Sequence, residues 1–187
     1  MNAIDFLNAR RSVPSRLLGE PGPDDAQLRL LVDAALRVPD HGKLAPWRLL
    51  RIRGAQRQRL GEFLVQRQRT LDPAVPPAVV DKDRQRFNHA PLILAVIAQP
   101  QPSKVPEIEQ LMSGGALCFA LLQAAQALGF GAQWLTGWMA YDAAVLEHLG
   151  LRGDERLLGF LHIGTAAEPA PERLRPAFEE KLGDWDG

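Results

Sequence analysis

Apolar and polar positions along the chain fall into short segments with two different periods. Ala3–Ala9 places Ile4, Phe6 and Leu7 on a short amphipathic helix that runs into Arg10-Arg11. Three prolines and two glycines make Pro14–Pro23 a connector. Asp24 is placed to cap a helix on which Leu28, Leu31, Val32, Ala35 and Leu36 share a face, and Pro39 ends it by Val38. Pro39–Pro46 (PDHGKLAP) reads as a loop, Gln56–Gln68 as a polar surface helix, and Val79–Phe87 as another helix beyond the prolines of Asp72–Pro77.

The strand signals differ among themselves. Trp47–Ile52 mixes apolar and basic positions, which suits a half-exposed strand, whereas Pro91–Ala98 (PLILAVIA) is a continuous apolar run expected to be covered on both faces. Glu107–Leu128 is apolar nearly all round and predicts a long buried core helix, with Gly129 as its stop. Ala132–Trp138 predicts a strand, Asp142–Leu149 a short helix capped by Asp142, and Leu157–Gly164 a second buried strand. Strands separated by helices argue for a three-layer α/β or α+β domain with a largely buried sheet. One such domain spans 1–187, with 168–187 an extended, acidic, proline-containing tail.

Composition narrows the function. The chain has 187 residues, enough for one sizeable core, and 46% apolar with 24% charged residues is ordinary for a folded protein. The single cysteine, Cys118, excludes an internal disulfide framework and points to a reducing compartment. Without a targeting or spanning segment, a cytoplasmic protein is expected; Gly114–Ala132, the most apolar stretch, is interrupted by Gln123 and Gln126. The net charge of zero hides an asymmetry: residues 1–69 carry 13 basic against 7 acidic side chains, residues 70–187 carry 9 against 15. Eighteen of the 22 basic residues are arginine, whose planar fork suits phosphate, yet no basic run exceeds two residues. A phosphorylated small ligand therefore fits better than nucleic acid.

The common catalytic signatures are absent: no G-x-G-x-x-G, no P-loop and no nucleophile elbow. The histidines at 41, 89, 148 and 162 lack metal-ligand spacing, so no metal site is expected. Cys118 sits in an apolar helix, where cysteine acts as a small hydrophobe. Three features remain. Arg10-Arg11-Ser12 offers two guanidinium groups and a hydroxyl to a phosphate, or else is a solvated helix end. Pro39–Trp47 brackets His41 and Lys43 between prolines, as a binding loop or an ordinary connection. Gly129–Gly137 (GFGAQWLTG) would flank a planar ring, or form a core strand between tight turns.

Taken together and in order, Arg10–Ser12, Val38–Trp47, Ser103–Pro106 (SKVP), Ala127–Trp134 and Gly159–Thr165 (GFLHIGT) resemble stretches of the nitroreductase family of FMN-dependent oxidoreductases, in particular its short bacterial branch. The resemblance covers about Met1 to Thr165. It implies a three-layer, nitroreductase-like α+β fold with a central mixed β-sheet covered by helices, and a homodimer with one FMN per subunit at the interface. It assigns Arg10, Arg11 and Ser12 to the phosphate and ribityl end of FMN, and Arg37 and His41 to the same flavin from the same or the other subunit. Trp134, Leu135 and Thr136 would line the isoalloxazine, and Ala124, Ala125, Gln126, Ala127, Leu128 and Gly129 match the stretch assigned to NAD(P) contact.

The implied chemistry is ping-pong hydride transfer from NADH or NADPH through flavin N5 to a nitroaromatic, quinone or similar acceptor, with no acid–base residue supplied by the protein. Alternatives are a flavin carrier or sensor with little turnover, and a flavoenzyme dedicated to one metabolite. The chain departs from the pattern in two places. Larger members carry a P-S-S-x-N-x-Q-P-W loop where this chain has Asp40-His41, Lys43 and Ala45, and the arginine that follows the tryptophan in the short branch is Leu135 here.

Overall fold

A computed structural model describes residues 2–187. In chain order the elements are α1 (Ala3–Ala9), β1 (Leu18–Gly19), α2 (Asp25–Ala35), β2 (Trp47–Arg53), α3 (Ala55–Leu71), α4 (Pro77–Gln85), β3 (Leu92–Ala98), α5 (Glu107–Ala127), β4 (Gly131–Leu135), α6 (Ala143–His148) and β5 (Arg156–Ala166). Local chemistry starts the helices. Asn2 and Asp5 cap α1 reciprocally, Asp24 and Gln27 do the same for α2, and the Asp142 carboxylate accepts the Val145 N–H at the head of α6. Pro77 stands at the first turn of α4, where a missing N–H costs nothing.

β3 and β5 form the middle of the sheet. β3 pairs with β2 and β5, and β5 also pairs with β4 and, at its far end, with β1. Every pairing is antiparallel, so the sheet is not the mixed one the sequence predicts. The β2–β3 connection, through α3 packed on α4, and the β4–β5 connection, through α6, each return the chain at the end of the sheet it left, in place of the crossover that makes parallel neighbours. The alternation of β3 sorts the core into two layers. Leu92, Leu94 and Val96 meet Leu31 of α2 and Leu117 and Leu121 of α5, while Ile93, Ala95 and Ile97 meet Leu60 and Leu64 of α3, Val145 of α6 and the edge-packed pair Phe87–Phe160. Three layers result, with all seven β3 residues buried.

Several segments depart from the predicted pattern. The 14–23 connector contains a 3₁₀ turn at Ser15–Leu17 and the two-residue β1. β4 stops at Leu135 instead of continuing to Trp138, because Gly137 takes φ 133° and Trp138 turns inward to donate its Nε1–H to Asp83 Oδ2 at 2.9 Å. α5 is buried on one side only. Leu117, Cys118, Leu121 and Ala125 face the core, but Ile108, Met112 and Phe119 are exposed, as are Ile4 and Leu7 of α1. α5 is long and apolar enough by composition to cross a membrane, and its seat against β3 and β5 explains that composition as a core helix with one uncovered apolar face.

Candidate active site

The first site element follows directly from the end of α1. Arg11 turns back to donate Nη1–H to the Asn8 carbonyl and to the Arg10 carbonyl at 3.0 Å, which satisfies oxygens left unpaired by the helix end. Its Nε donates to Glu172 Oε2 at 2.7 Å, and its Nη2 contacts the same oxygen. Arg10 lies with its guanidinium 5.8 Å from the centroid of the Phe119 ring and its Nη1–H toward Ser12 Oγ at 3.4 Å. Part of the triplet therefore does cap a helix, and the rest faces a cleft.

That cleft, of about 390 Å³, is lined by Arg10, Arg11 and Ser12, by Phe119 and Leu122 of α5, by Trp134 of β4, and by Pro171, Glu172, Arg173 and Arg175 of the tail. The volume falls in the range of small-molecule sites. Four guanidinium groups converge on it against one carboxylate. Arg10 is pushed below its ordinary value, first by burial and then by repulsion from Arg175, Arg11 and Arg173. Glu172 is held below the usual carboxylate range, first by the Arg173 backbone N–H and then by Arg11. A site that collects repelling cations in a partly dry cleft is built to receive an anion.

Trp134 is positioned by the sheet itself. A register shift between Val96 and Ile97 leaves Leu158 outside the β3–β5 ladder, and the Trp134 Nε1–H takes up the Leu158 carbonyl at 3.0 Å. Only glycine allows this at position 159: its φ is 145°, and a Cβ there would lie 2.3 Å from Trp134 Nε1. Leu135 pairs with Phe160 at the end of β4 and Thr136 follows it, exposed.

The remaining candidates lie apart. Arg37 is exposed beyond α2. His41 Nδ1 meets Glu109 Oε2 at 2.6 Å at the opposite end of α5 from the cleft. Ten residues separate Glu109 from Phe119, roughly 15 Å along the helix. Within one chain, Arg37 and His41 are not brought to the Arg10 cleft. Their loop is nevertheless stiff. Lys43 (φ 55°) and Ala45 (φ 46°) hold left-handed backbone, fixed by the Asp40 carboxylate accepting the Ala45 N–H at 2.7 Å and by Gln101 Nε2 donating to the Leu44 carbonyl at 2.9 Å.

Of the 124–129 stretch, Ala124 and Ala125 are packed into the core and Gln126 donates to the Phe6 carbonyl at 3.0 Å, so Ala127 and Gly129 are its exposed members, with Leu128 between. Among the described residues no three His, Cys, Asp or Glu side chains gather to hold a metal ion. Burial pushes the Cys118 thiol up to about 12, which leaves it inert as a nucleophile.

Arg173 and Arg175 are the site residues that sequence reasoning missed. Their overall setting is an acidic tail, and the two arginines spaced by one residue (Arg173-Leu174-Arg175) were the local signal against that background.

The three-layer α+β fold carries an arginine-lined cleft, suited to an anion, beside a strand-borne tryptophan. Residues 7–165 match the model of the nitroreductase family, and the chain belongs to that family. It is 37% identical over 166 residues to "Putative NAD(P)H nitroreductase YdjA" of Escherichia coli (strain K12), covering 88% of each chain. In fold it matches a solved nitroreductase-like family protein from Bacillus cereus with a TM-score of 0.82 at 23% identity, covering 100% of this chain and 97% of that one. It also matches the FMN and NADPH-dependent nitroreductase NfnB from sphigopyxis sp. strain HMH, with a TM-score of 0.74 at 21% identity over 100% of both chains.

Proposed function

We propose that this protein is an FMN-dependent NAD(P)H oxidoreductase that passes electrons to nitroaromatic, quinone or similar small acceptors. The observation that carries the reading is the cleft where Arg10, Arg11, Arg173 and Arg175 meet beside Trp134 with Glu172 as their sole carboxylate. The residues present fit a phosphorylated flavin: guanidinium forks and the Ser12 hydroxyl for the phosphate, and an indole face next to Leu135 and Thr136 for the ring. When bound, FMN would supply the two-electron carrier between a nicotinamide donor and an acceptor. The work left to the chain is to bind, orient and tune. Positive side chains would favour a reduced, anionic flavin, and no side chain of the cleft is poised as a proton shuttle.

The uncovered apolar face of α5, with Ile108, Met112 and Phe119, supports a homodimer, in which Arg37 and His41 serve the cleft of the partner subunit. Under this reading the chain is one domain, 1–187, working in the cytoplasm, and the exposed ends of the 124–129 stretch, Ala127 and Gly129, would approach NAD(P)H.

The test is the visible spectrum of the purified protein. We expect a yellow dimer by gel filtration that oxidises NADH or NADPH with a quinone or nitroaromatic acceptor. Arg10→Ala should lose most of its FMN while keeping its fold. Colourless wild type after incubation with FMN, or full FMN occupancy in Arg10→Ala, would overturn the assignment.

A further inference from the structure

We propose that Glu172 is an internal occupant of the phosphate site, a carboxylate that holds Arg11 in the free chain and that an incoming phosphate group must displace. The natural ligand's identity rests on the FMN reading above; the phosphate chemistry does not.

Three observations carry this. First, Glu172 engages Arg11 as an oxyanion would, through Nε at 2.7 Å and through Nη2 of the same fork. Among the described residues, Arg11 alone of the four cleft arginines has a carboxylate partner, so Glu172 takes the one fork it can reach and leaves three cations unmatched. Second, the contact is weak by construction. The Glu172 side chain is 64% exposed, and an ion pair so open to water and salt is only weakly held. A phosphate monoester brings a charge of about −1.5 to −2 and three acceptor oxygens, and outcompetes a single carboxylate.

Third, the backbone lets Glu172 leave. Ala167 donates its N–H to the Leu17 carbonyl, and the next backbone hydrogen bond along the tail comes at Glu180, which donates to Ala177. The intervening segment is tied to the body by side chains, the Arg11–Glu172 contact above all, with the Glu172 carboxylate also accepting the adjacent Arg173 N–H at 2.9 Å. Turning Glu172 out of the cleft therefore breaks one exposed ion pair and no ladder. The segment that carries Glu172 also carries Arg173 and Arg175, so one small rearrangement withdraws the carboxylate and leaves the guanidinium groups to the ligand. Glu172 thus sets selectivity: ligands with a dianionic phosphate displace it, and ligands without one meet a neutralised Arg11.

The experiment uses the full-length protein, stripped of flavin, with Glu172→Gln and Glu172→Asp, titrated calorimetrically with FMN, riboflavin and inorganic phosphate. Glu172→Gln should bind FMN and inorganic phosphate about two- to fivefold more tightly, the ratio that loss of an exposed ion pair yields. Riboflavin affinity should not change, and Glu172→Asp should resemble wild type. Unchanged or weaker FMN and phosphate binding in Glu172→Gln overturns the proposal, because Glu172 would then brace Arg11 for the ligand. Wild type that takes neither flavin, combined with tighter inorganic phosphate in Glu172→Gln, removes the FMN reading and leaves this one standing.

Discussion

Around Glu155, Asp142 and Asp83, guanidinium groups meet carboxylates one for one, whereas the cleft sets four arginines against the single carboxylate of Glu172, which pairs with Arg11. Arg48 forks onto Glu155 with both contacts at 2.8 Å, and Glu155 also accepts from Gln99 at 2.7 Å and from the Arg152 N–H at 3.0 Å. Arg67 forks onto Asp142, the cap of α6, at 3.0 and 2.9 Å. Arg86 reaches Asp83 at 2.9 Å, and Asp83 is 2% exposed. Charge hydrogen bonds hold Glu155 at about 2, with Arg48 the largest cause. A matched arginine joins elements: Arg48 ties β2 to the loop before β5, Arg67 ties α3 to α6. An unmatched arginine in a half-dry cleft is repelled by its neighbours and stabilises nothing until an anion arrives. Under the function proposed above, the difference separates arginines that serve the fold from arginines that serve a ligand.

The largest effect should come from breaking the most buried match. Asp83 accepts from Gln68 Nε2 at 3.0 Å, from Trp138 Nε1 at 2.9 Å and from Arg86 at 3.2 and 2.9 Å. Asp83→Ala leaves three donors, one of them charged, without a partner, at an expected cost of about 3–5 kcal/mol in urea denaturation. The Trp138 anchor is lost as well, so the turn after Thr136 should loosen. A loss below about 1 kcal/mol would place Asp83 with the surface pairs and blur the distinction.

His162 probes matching of a different kind, since for a buried imidazole neutrality is the matched state. It is 1% exposed beside Phe87, neither ring nitrogen has a hydrogen-bond partner, and burial, then Arg86 and His89, lowers it to about 3. The unfolded chain, with an ordinary value of 6.5, binds the proton first as pH falls. Stability from this group is therefore complete above about pH 6.5 and is lost progressively toward pH 3, by something on the order of a few kcal/mol. His162→Leu should remove that share of the acid dependence. Wild-type and His162→Leu stability curves that run parallel from pH 7 to pH 4 would show that the imidazole finds a partner on protonation.

Much of this fold was legible in residue order. The Asp24 and Asp142 caps, the doubly buried β3 and the long α5 follow from local chemistry that the structure keeps. Sheet direction was not legible, because the number of helices between strands does not fix it: β2 and β3 are separated by two helices and β4 and β5 by one, and both pairs are antiparallel. At the site, Arg10–Ser12 and Trp134 could be read as candidates, and the sheet does bring them into one cleft. Arg173 and Arg175 could not, since proximity across some 160 residues is not written in local order, and in a tail that is acidic on average their spacing by one residue was the one local signal. Arg37 and His41 mark the same limit from the other side: they read as candidates in the sequence, yet the fold of one chain seats His41 against Glu109 and leaves Arg37 exposed, away from the cleft.

The finest test of the comparison is Arg175→Ala. If the cleft arginines serve the fold, deleting one should destabilise the protein; if they await an anion, it should not. Arg175 is the largest charged contributor to the lowering of Arg10, so its removal relieves repulsion and adds no unpaired carboxylate, since the one acid of the cleft already pairs with Arg11. The expected result is a melting temperature unchanged or slightly raised in the absence of ligand, within the roughly 0.5 kcal/mol span of surface substitutions. FMN affinity should fall about tenfold, the loss of one charge-assisted contact of about 1.5 kcal/mol, while riboflavin affinity holds. Thermal denaturation and flavin titration on the same preparation decide it. A destabilised Arg175→Ala with intact FMN binding would move Arg175 into the class of Arg48 and Arg67, and the tail would become a strut of the fold with no part in gripping a ligand.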